Sequence, residues 1–309
     1  MKVFVAGASG VVGRHLVPQL VGAGHDVTGT ARSPEKAAAL RRLGAEPVEL
    51  DALDREATLR AVKETGPDAV INQLTKLPRE YNPRKVDYEP TNRVRVEGGR
   101  NLIDAARAAG ARRLITQSIA FLYAPDGEPV KGEEAPAFTD AHEPFGGGVR
   151  AMLEHERAVT GSSDLDGLAL RYGWFYGPDT YYASDGNIGE QVRKRRFPIV
   201  GSGEGVTSFL HIEDAAGATV AALERGAAGV YNVVDDDPAE FREWLPVYAE
   251  ALGAKPPRRV PVWLARLVAG PLIGLVTDLR GASNAKAKRE LGWEPRYPSW
   301  RQGFREALG

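Results

Sequence analysis

The stretch Val3-Phe4-Val5-Ala6-Gly7-Ala8-Ser9-Gly10-Val11-Val12-Gly13 decides the fold. Its first residues are a short apolar run, read as a buried parallel strand. Glycine then stands at every third position, and a helical pattern opens at Val11 and runs through Leu16 and Leu20. Strand, glycine turn and helix in that order are what a dinucleotide-binding loop needs. Gly7 makes the tight turn out of the strand. Gly10 has no Cβ, so backbone N–H groups from Ser9 to Val12 can approach a pyrophosphate at the positive end of the helix. Gly13 lets that helix pack closely on its own strand. The spacing is G-x-x-G-x-x-G rather than G-x-G-x-x-G. An ordinary glycine turn before a helix is the plainer alternative, and the flanking elements favour the phosphate cradle.

At 309 residues the chain buries a large core in one big domain or two. Its 40 basic and 41 acidic residues leave a net charge of −1, so no global attraction to nucleic acid or a membrane is expected. Cysteine is absent, which excludes disulfides, thiolate catalysis and cysteine-ligated metal sites. The five histidines form no i, i+4 pair, and no metal site is expected. Met1-Lys2-Val3 runs straight into the first strand and leaves no room for a signal peptide. The longest apolar stretch, Val260 to Val276, is broken by Pro261, Arg266 and Pro271 and is too short for a membrane span. The expectation is a soluble cytoplasmic protein acting on a small molecule.

Further along, strands are expected at Asp26 to Thr30, Pro47 to Leu50, Ala69 to Gln73, Leu114 to Ser118 and Leu168 to Tyr172. Helices alternate with them: Pro34 to Leu43 behind Ser33, Arg55 to Glu64 behind Asp54, Asn92 to Ala109 and Val149 to Val159. Phe121 to Gly148 reads as loop. Phe209 to Ile212, the helix Glu213 to Leu223 and Val230 to Val234 are expected to return to the same sheet. The fold class is therefore α/β, a Rossmann-type doubly wound parallel sheet. Residues 1–173 plus 209–234 make the dinucleotide-binding domain. Residues 174–208 plus 235–309, richer in proline, glycine and aromatics, make a smaller discontinuous substrate lobe. Asp235-Asp236-Asp237 reads as a solvated turn.

A coenzyme without a 2′-phosphate usually meets a carboxylate at the end of the second strand. Here the strand ends Thr28-Gly29-Thr30-Ala31-Arg32-Ser33, with no acid. Arg32 can hold a 2′-phosphate, with Thr30 and Ser33 as supporting donors. Its alternative is a solvated arginine opening a helix. NADP(H) is preferred over NAD(H).

Several later segments carry a family resemblance. Asn92 with Asn101-Leu102-Ile103-Asp104-Ala105-Ala106, Arg171-Tyr172-Gly173-Trp174-Phe175-Tyr176-Gly177-Pro178 and Phe209-Leu210-His211-Ile212-Glu213-Asp214 occur in order. Tyr231-Asn232-Val233 and Ala285 to Pro295 complete the series. Together with the glycine loop they resemble the extended short-chain dehydrogenase/reductases, in the epimerase/dehydratase-like group. The resemblance implies that Asp51 accepts from the adenine amino group, with a turn aspartate as the alternative. It also implies that Ala52, Gln73, Leu74, Thr75, Gln117, Tyr172 and Trp174 line the coenzyme. Family members pair through two helices into a homodimer. Here those faces carry Arg93, Arg95 and Arg100 against Glu154 and Glu156, which leaves dimer and monomer both open.

The resemblance fails at the family's catalytic Ser, Tyr and Lys, whose positions hold Ile119, Gly148 and Met152; sliding the loop offers Phe145 and Arg150 for the last two, five apart and without a hydroxyl. A literal Tyr-x-x-x-Lys at Tyr81 and Lys85 contains Pro83 and is read as coincidence. Ser118, Tyr123 and Lys76 are the candidate proton donors, each with a bland alternative as a backbone-bonded hydroxyl, a packed aromatic and a solvated lysine. The expected function is an NADPH-dependent reductase of a carbonyl on a small, largely apolar, ring-containing substrate, lacking the usual acid/base pair. A nucleotide-sugar epimerase or dehydratase is an alternative. Against it, Thr207 stands where such enzymes carry a base for the diphosphate, with the basic run Arg193 to Arg196 as a substitute. A non-catalytic NADP-binding sensor is the third reading.

Overall fold

The computed structural model describes residues 1–78 and 87–308. Tyr81 and Lys85 lie outside the described residues. The central sheet has seven strands: β1 Lys2–Ala6, β2 Asp26–Ala31, β3 Glu46–Glu49, β4 Ala69–Asn72, β5 Arg113–Ile119, β6 Asp166–Tyr172 and β7 Gly229–Val233. Their order is 3-2-1-4-5-6-7, and every pairing is parallel. The order reverses between β1 and β4, so a crevice opens there beyond the carboxyl ends of the strands.

Alternation along the strands feeds two cores. Val3, Val5, Ile71 and Ile115 pack with Leu16, Leu20 and Ala218 on one face. Phe4, Ala6, Val70 and Leu114 pack with Val62, Leu102 and Ile103 on the other. Successive side chains of a strand point to opposite faces, so an unbroken apolar run is what a sheet covered on both sides requires. The helix after β1, α1, is Val11–Gly22. The next two, α2 Pro34–Arg42 and α3 Arg55–Thr65, are capped by Ser33 and Asp54. Each cap side chain accepts a backbone N–H of the first turn that has no intrahelical partner.

The structure corrects four expectations. The long helix before β5 is composite: a turn Glu89–Arg93, a π-helical segment Val94–Gly98, then α4 Gly99–Ala109. The helix expected from Val149 begins earlier, as α5 Phe145–Thr160. Its first turn contains Gly146, Gly147 and Gly148, which read as loop because glycine weakens helices. Here the Glu143 carboxylate accepts the Gly147 N–H at 3.0 Å, and a Cβ on Gly146 would lie 2.2 Å from the Ala141 carbonyl. Local crowding thus selects glycine where propensity disfavours it. Phe209–His211 does not join the main sheet but pairs with Trp174–Tyr176. The chain leaves β6 at Gly173, where a Cβ would lie 2.6 Å from the Ser208 carbonyl. Asp235 is buried rather than solvated, and its carboxylate accepts the Trp300 N–H at 2.9 Å.

Helix α6, Ile212–Glu224, covers the first core. A third core is aromatic, with Tyr176, Tyr182, Phe209, Phe241, Trp244, Tyr248, Trp300 and Phe304 packed together. Most neighbouring rings there meet edge to face, as the ring quadrupoles prefer. No helix among the described residues is long and apolar enough to cross a membrane.

Candidate active site

The loop out of β1 has the geometry that a phosphate cradle requires. Gly7 has φ +85°, and a Cβ there would lie 2.6 Å from the Gln73 carbonyl. A Cβ on Gly13 would lie 2.4 Å from the carbonyls of Gly7 and Ala8. Gly10 is the N-cap of α1, with no side chain capping the first turn. The N–H groups of Val11 and Val12 therefore lack the intrahelical acceptors that later residues have. Ser9 and Val11 are partly exposed at this end, while Val12 is buried.

At the neighbouring strand end, Thr30 is buried and its hydroxyl accepts the Gly7 N–H at 2.8 Å, which ties the second strand to the loop. Ser33 caps α2 through the Lys36 N–H. Arg32 is exposed between them, and among the described residues it has neither a hydrogen bond nor an ion pair. Asp51 makes a turn, accepting the Leu53 N–H at 3.1 Å, and Ala52 is buried with its carbonyl held by Asn101.

Beyond β4, Gln73 donates to the Tyr172 hydroxyl at 3.0 Å, while its own Oε1 is buried without a partner. Leu74 and Thr75 are half-buried on the same loop, and Gln117 is half-buried on β5. Tyr172 differs from expectation. Its phenol lies 2.6 Å from Thr219 in the core, and burial pushes its pKa up to about 12. It therefore supports Gln73 instead of presenting its hydroxyl at the crevice. Trp174 lies against Phe121 with ring centroids 4.5 Å apart, and its Nε1 is buried without a partner. The glycine cradle and the orphaned polar atoms of Gln73 and Trp174 fit a dinucleotide laid across the strand ends.

Ser118 and Tyr123 come together, but inside the protein. Ser118 donates to Glu156 at 2.5 Å, and Glu156 forms a two-pronged ion pair with Arg171 at 2.8 and 2.6 Å. Arg171 also donates to the Tyr123 hydroxyl at 3.0 Å, and that hydroxyl donates to Asn232 at 2.6 Å. Burial works against the Arg171 cation, yet hydrogen bonding and the charge of Glu156 hold its pKa above the ordinary arginine value. Burial pushes the Tyr123 phenol up, against the pull of Arg171. Both hydroxyl protons are committed to this network. Lys76 is exposed and stands apart from them.

Gly148 and Met152 lie one turn apart on α5, both buried, and Ile119 closes β5. Helix α5 packs on the segment Glu89–Gly98. A Cβ on Gly148 would lie 3.9 Å from the Asn92 side-chain carbonyl. One turn past Met152, His155 Nε2 lies 2.6 Å from the Thr116 hydroxyl and 3.3 Å from the Asn72 amide nitrogen. The Asn72 side-chain oxygen accepts the Leu74 N–H, so its NH2 faces the ring and Nε2 accepts. The ring proton therefore resides on Nδ1. Burial lowers the His155 pKa to about 4, with the Arg95 charge adding to the effect.

Arg95 and Glu156 correct the dimer-face reading, because both are buried. The remaining charges of that surface pair within the chain, Arg100 with Glu154 and Arg93 with Glu97. A signal for Arg95 was present in the sequence. Thr91, Arg95, Gly98, Gly99, Leu102 and Ala106 recur at helical spacing and form one buried stripe.

Comparison with known proteins places this arrangement. The model of the NAD dependent epimerase/dehydratase family matches residues 3–234. The chain is 48% identical to a Streptomyces sp protein named 3-diazoavenalumate denitrifying reductase, over 98% of this chain and 99% of that one. It is 29% identical to 4-hydroxy-2-methyl-3-oxo-4-farnesyl-3,4-dihydroquinoline-1-oxide ketoreductase of Stigmatella aurantiaca, covering 96% and 92%. Among solved structures, UDP-glucose 4-epimerase of Thermus thermophilus in complex with NAD superposes with a TM-score of 0.74 at 26% identity, covering 100% and 98%. The chain therefore belongs to the NAD dependent epimerase/dehydratase family, within the extended short-chain dehydrogenases/reductases, and is an NAD(P)-dependent oxidoreductase.

Proposed function

We propose that this chain is an NADPH-dependent reductase that replaces the nitrogen of a diazo-bearing aromatic acid by hydride. The observation that carries the reading is the lack of a free proton donor at the positions resembling the family's triad. Ile119 and Met152 are apolar, Gly148 has no side chain, and the protons of Ser118 and Tyr123 are engaged. Replacing an aryl diazonium by hydride breaks the C–N bond, whose electron pair leaves with N2, and forms a C–H bond. No proton enters or leaves, so such a site has no need of an acid. The reduced nicotinamide, when bound, supplies the hydride. The chain's own residues then have three tasks: to hold the coenzyme at the glycine loop, to wall the ring with Trp174 and Phe121, and to exclude water. The relative named as a denitrifying reductase of a diazo acid supports this reading.

Preference for NADPH is supported by Arg32, an unpaired cation where the strand carries no acid. The ketoreductase relative favours a second reading, reduction of a ring ketone with the proton taken from water or substrate. A nucleotide-sugar reading fits less well. Thr207 is buried and accepts the Trp244 indole N–H at 3.1 Å, while Arg193 and Lys194 are engaged with Ser184 and Glu190.

The test supplies NADPH deuterated at the transferring position of C4, with a cinnamate carrying a diazonium group on its ring. The expected product is the arene with deuterium at the former C–N carbon, and N2. Deuterium transfer to a panel of ring ketones and none to the diazo acid would refute the proposal in favour of the second reading.

A further inference from the structure

Four buried polar atoms lack a hydrogen-bond partner on the segment Glu89–Gly98 and on α5, against which it packs: Thr91 Oγ1, Asn92 Oδ1, Arg95 Nε and His155 Nδ1. Buried polar atoms are nearly always paired in proteins, so these four require an explanation. Arg95 carries the charge among them. The residue is 8% exposed, and among the described residues no carboxylate lies within ion-pair distance of it. The field of Tyr88 favours the cation. Burial lowers the guanidinium only to about 10, so the charge persists. An unpaired buried cation is costly, and an apolar side chain at the same place in the stripe would avoid the cost.

The position indicates what Arg95 is for. Its π-helical segment packs on α5, the helix that carries Gly148, Met152 and His155. His155 in turn contacts Asn72, the last residue of β4, whose successor Gln73 crowds Gly7 of the cradle. Arg95 therefore lies at the same end of the sheet as the coenzyme loop. Gly99, one turn after Arg95, is fixed by the imidazole: a Cβ there would lie 2.5 Å from His155 Nδ1. A cation without a counter-ion among the described residues thus stands beside the helix that carries two of the triad positions, Gly148 and Met152.

We infer that Arg95 is the anchor for the substrate's carboxylate. The planar guanidinium offers a fork of donors that matches a carboxylate. Anchoring one end of a flat conjugated acid orients its ring, which a site without an acid/base pair needs for rate. The inference rests on the proposed reductase reading for the identity of the site and adds the group that recognises its substrate.

The test is calorimetric titration of the NADP+-loaded protein with cinnamate and with cinnamamide, which has the same shape without the charge. The unaltered protein is expected to bind cinnamate about tenfold tighter or more, as a charge-assisted pair implies. Arg95→Met is expected to abolish that preference and Arg95→Lys to retain part of it, with NADP+ affinity the same in all three. Should Arg95→Met not fold, the partial preference of Arg95→Lys carries the test. Equal binding of the two compounds by the unaltered protein, including no binding of either, overturns the inference. So does a preference that survives in Arg95→Met, or a parallel loss of NADP+ affinity. If the cinnamate preference holds but no diazo acid is turned over, the proposed reaction fails and the anchor stands. If the diazo acid and its amide are reduced with equal KM, the anchor fails and the reaction stands.

Discussion

Ser118→Ala removes one O–H donor from a buried ion pair, and its consequence separates structure from catalysis. The Ser118 hydroxyl lies 2.5 Å from Glu156, whose side chain is 4% exposed and whose two oxygens also meet Arg171. A hydrogen bond to a charged group contributes about 1.5–3 kcal/mol, and the remaining Arg171 contacts keep Glu156 paired. Stability should therefore fall by about that amount. Tyr123→Phe leaves Asn232 Oδ1 and one Arg171 N–H short of a partner, for a loss of about 1–3 kcal/mol. Glu156→Gln uncovers the Arg171 charge and should cost about 3–5 kcal/mol. Urea unfolding measures all three, and NADPH oxidation by the same proteins measures turnover. The expected pattern is a graded loss of stability with kcat of the first two variants within about twofold of the parent, since neither proton is free for chemistry. A drop in kcat beyond about tenfold, with stability within about 0.5 kcal/mol of the parent, would place Ser118 or Tyr123 in the reaction and refute the reasoning.

Two further outcomes follow from the site. Arg32→Ala should weaken NADPH binding by about 10- to 100-fold, the value of one charge-assisted hydrogen bond, and leave NADH binding unchanged; calorimetry with both coenzymes checks this. His155 has its pKa lowered from 6.5 to about 4. Between these values the unfolded chain takes up a proton that the folded ring refuses, so its contribution is full above pH 6.5 and is lost as the pH falls towards 4. Asp235, with its pKa raised by burial, titrates in the opposite sense. The quantity to measure is thus the difference in unfolding free energy between the parent and His155→Gln across that window, and a difference that does not change with pH sinks the assignment.

The sequence by itself determined the frame. The run Val3 to Ala6, the glycines at 7, 10 and 13, and the caps Ser33 and Asp54 are local signals, because a strand covered on both faces, a tight turn and a helix start each constrain residues a few positions apart. The coenzyme cradle is legible for the same reason. Tertiary structure decided what depended on distant partners. Phe209–His211 left the main sheet to pair with Trp174–Tyr176. Charge is the sharpest case. Arg95, Arg100, Glu154 and Glu156 look alike as letters, yet the fold buries the first and last and leaves the middle two exposed as an ion pair. Whether a charged residue is solvated, neutralised or held bare depends on which side chains from other elements surround it, and local spacing does not contain that information.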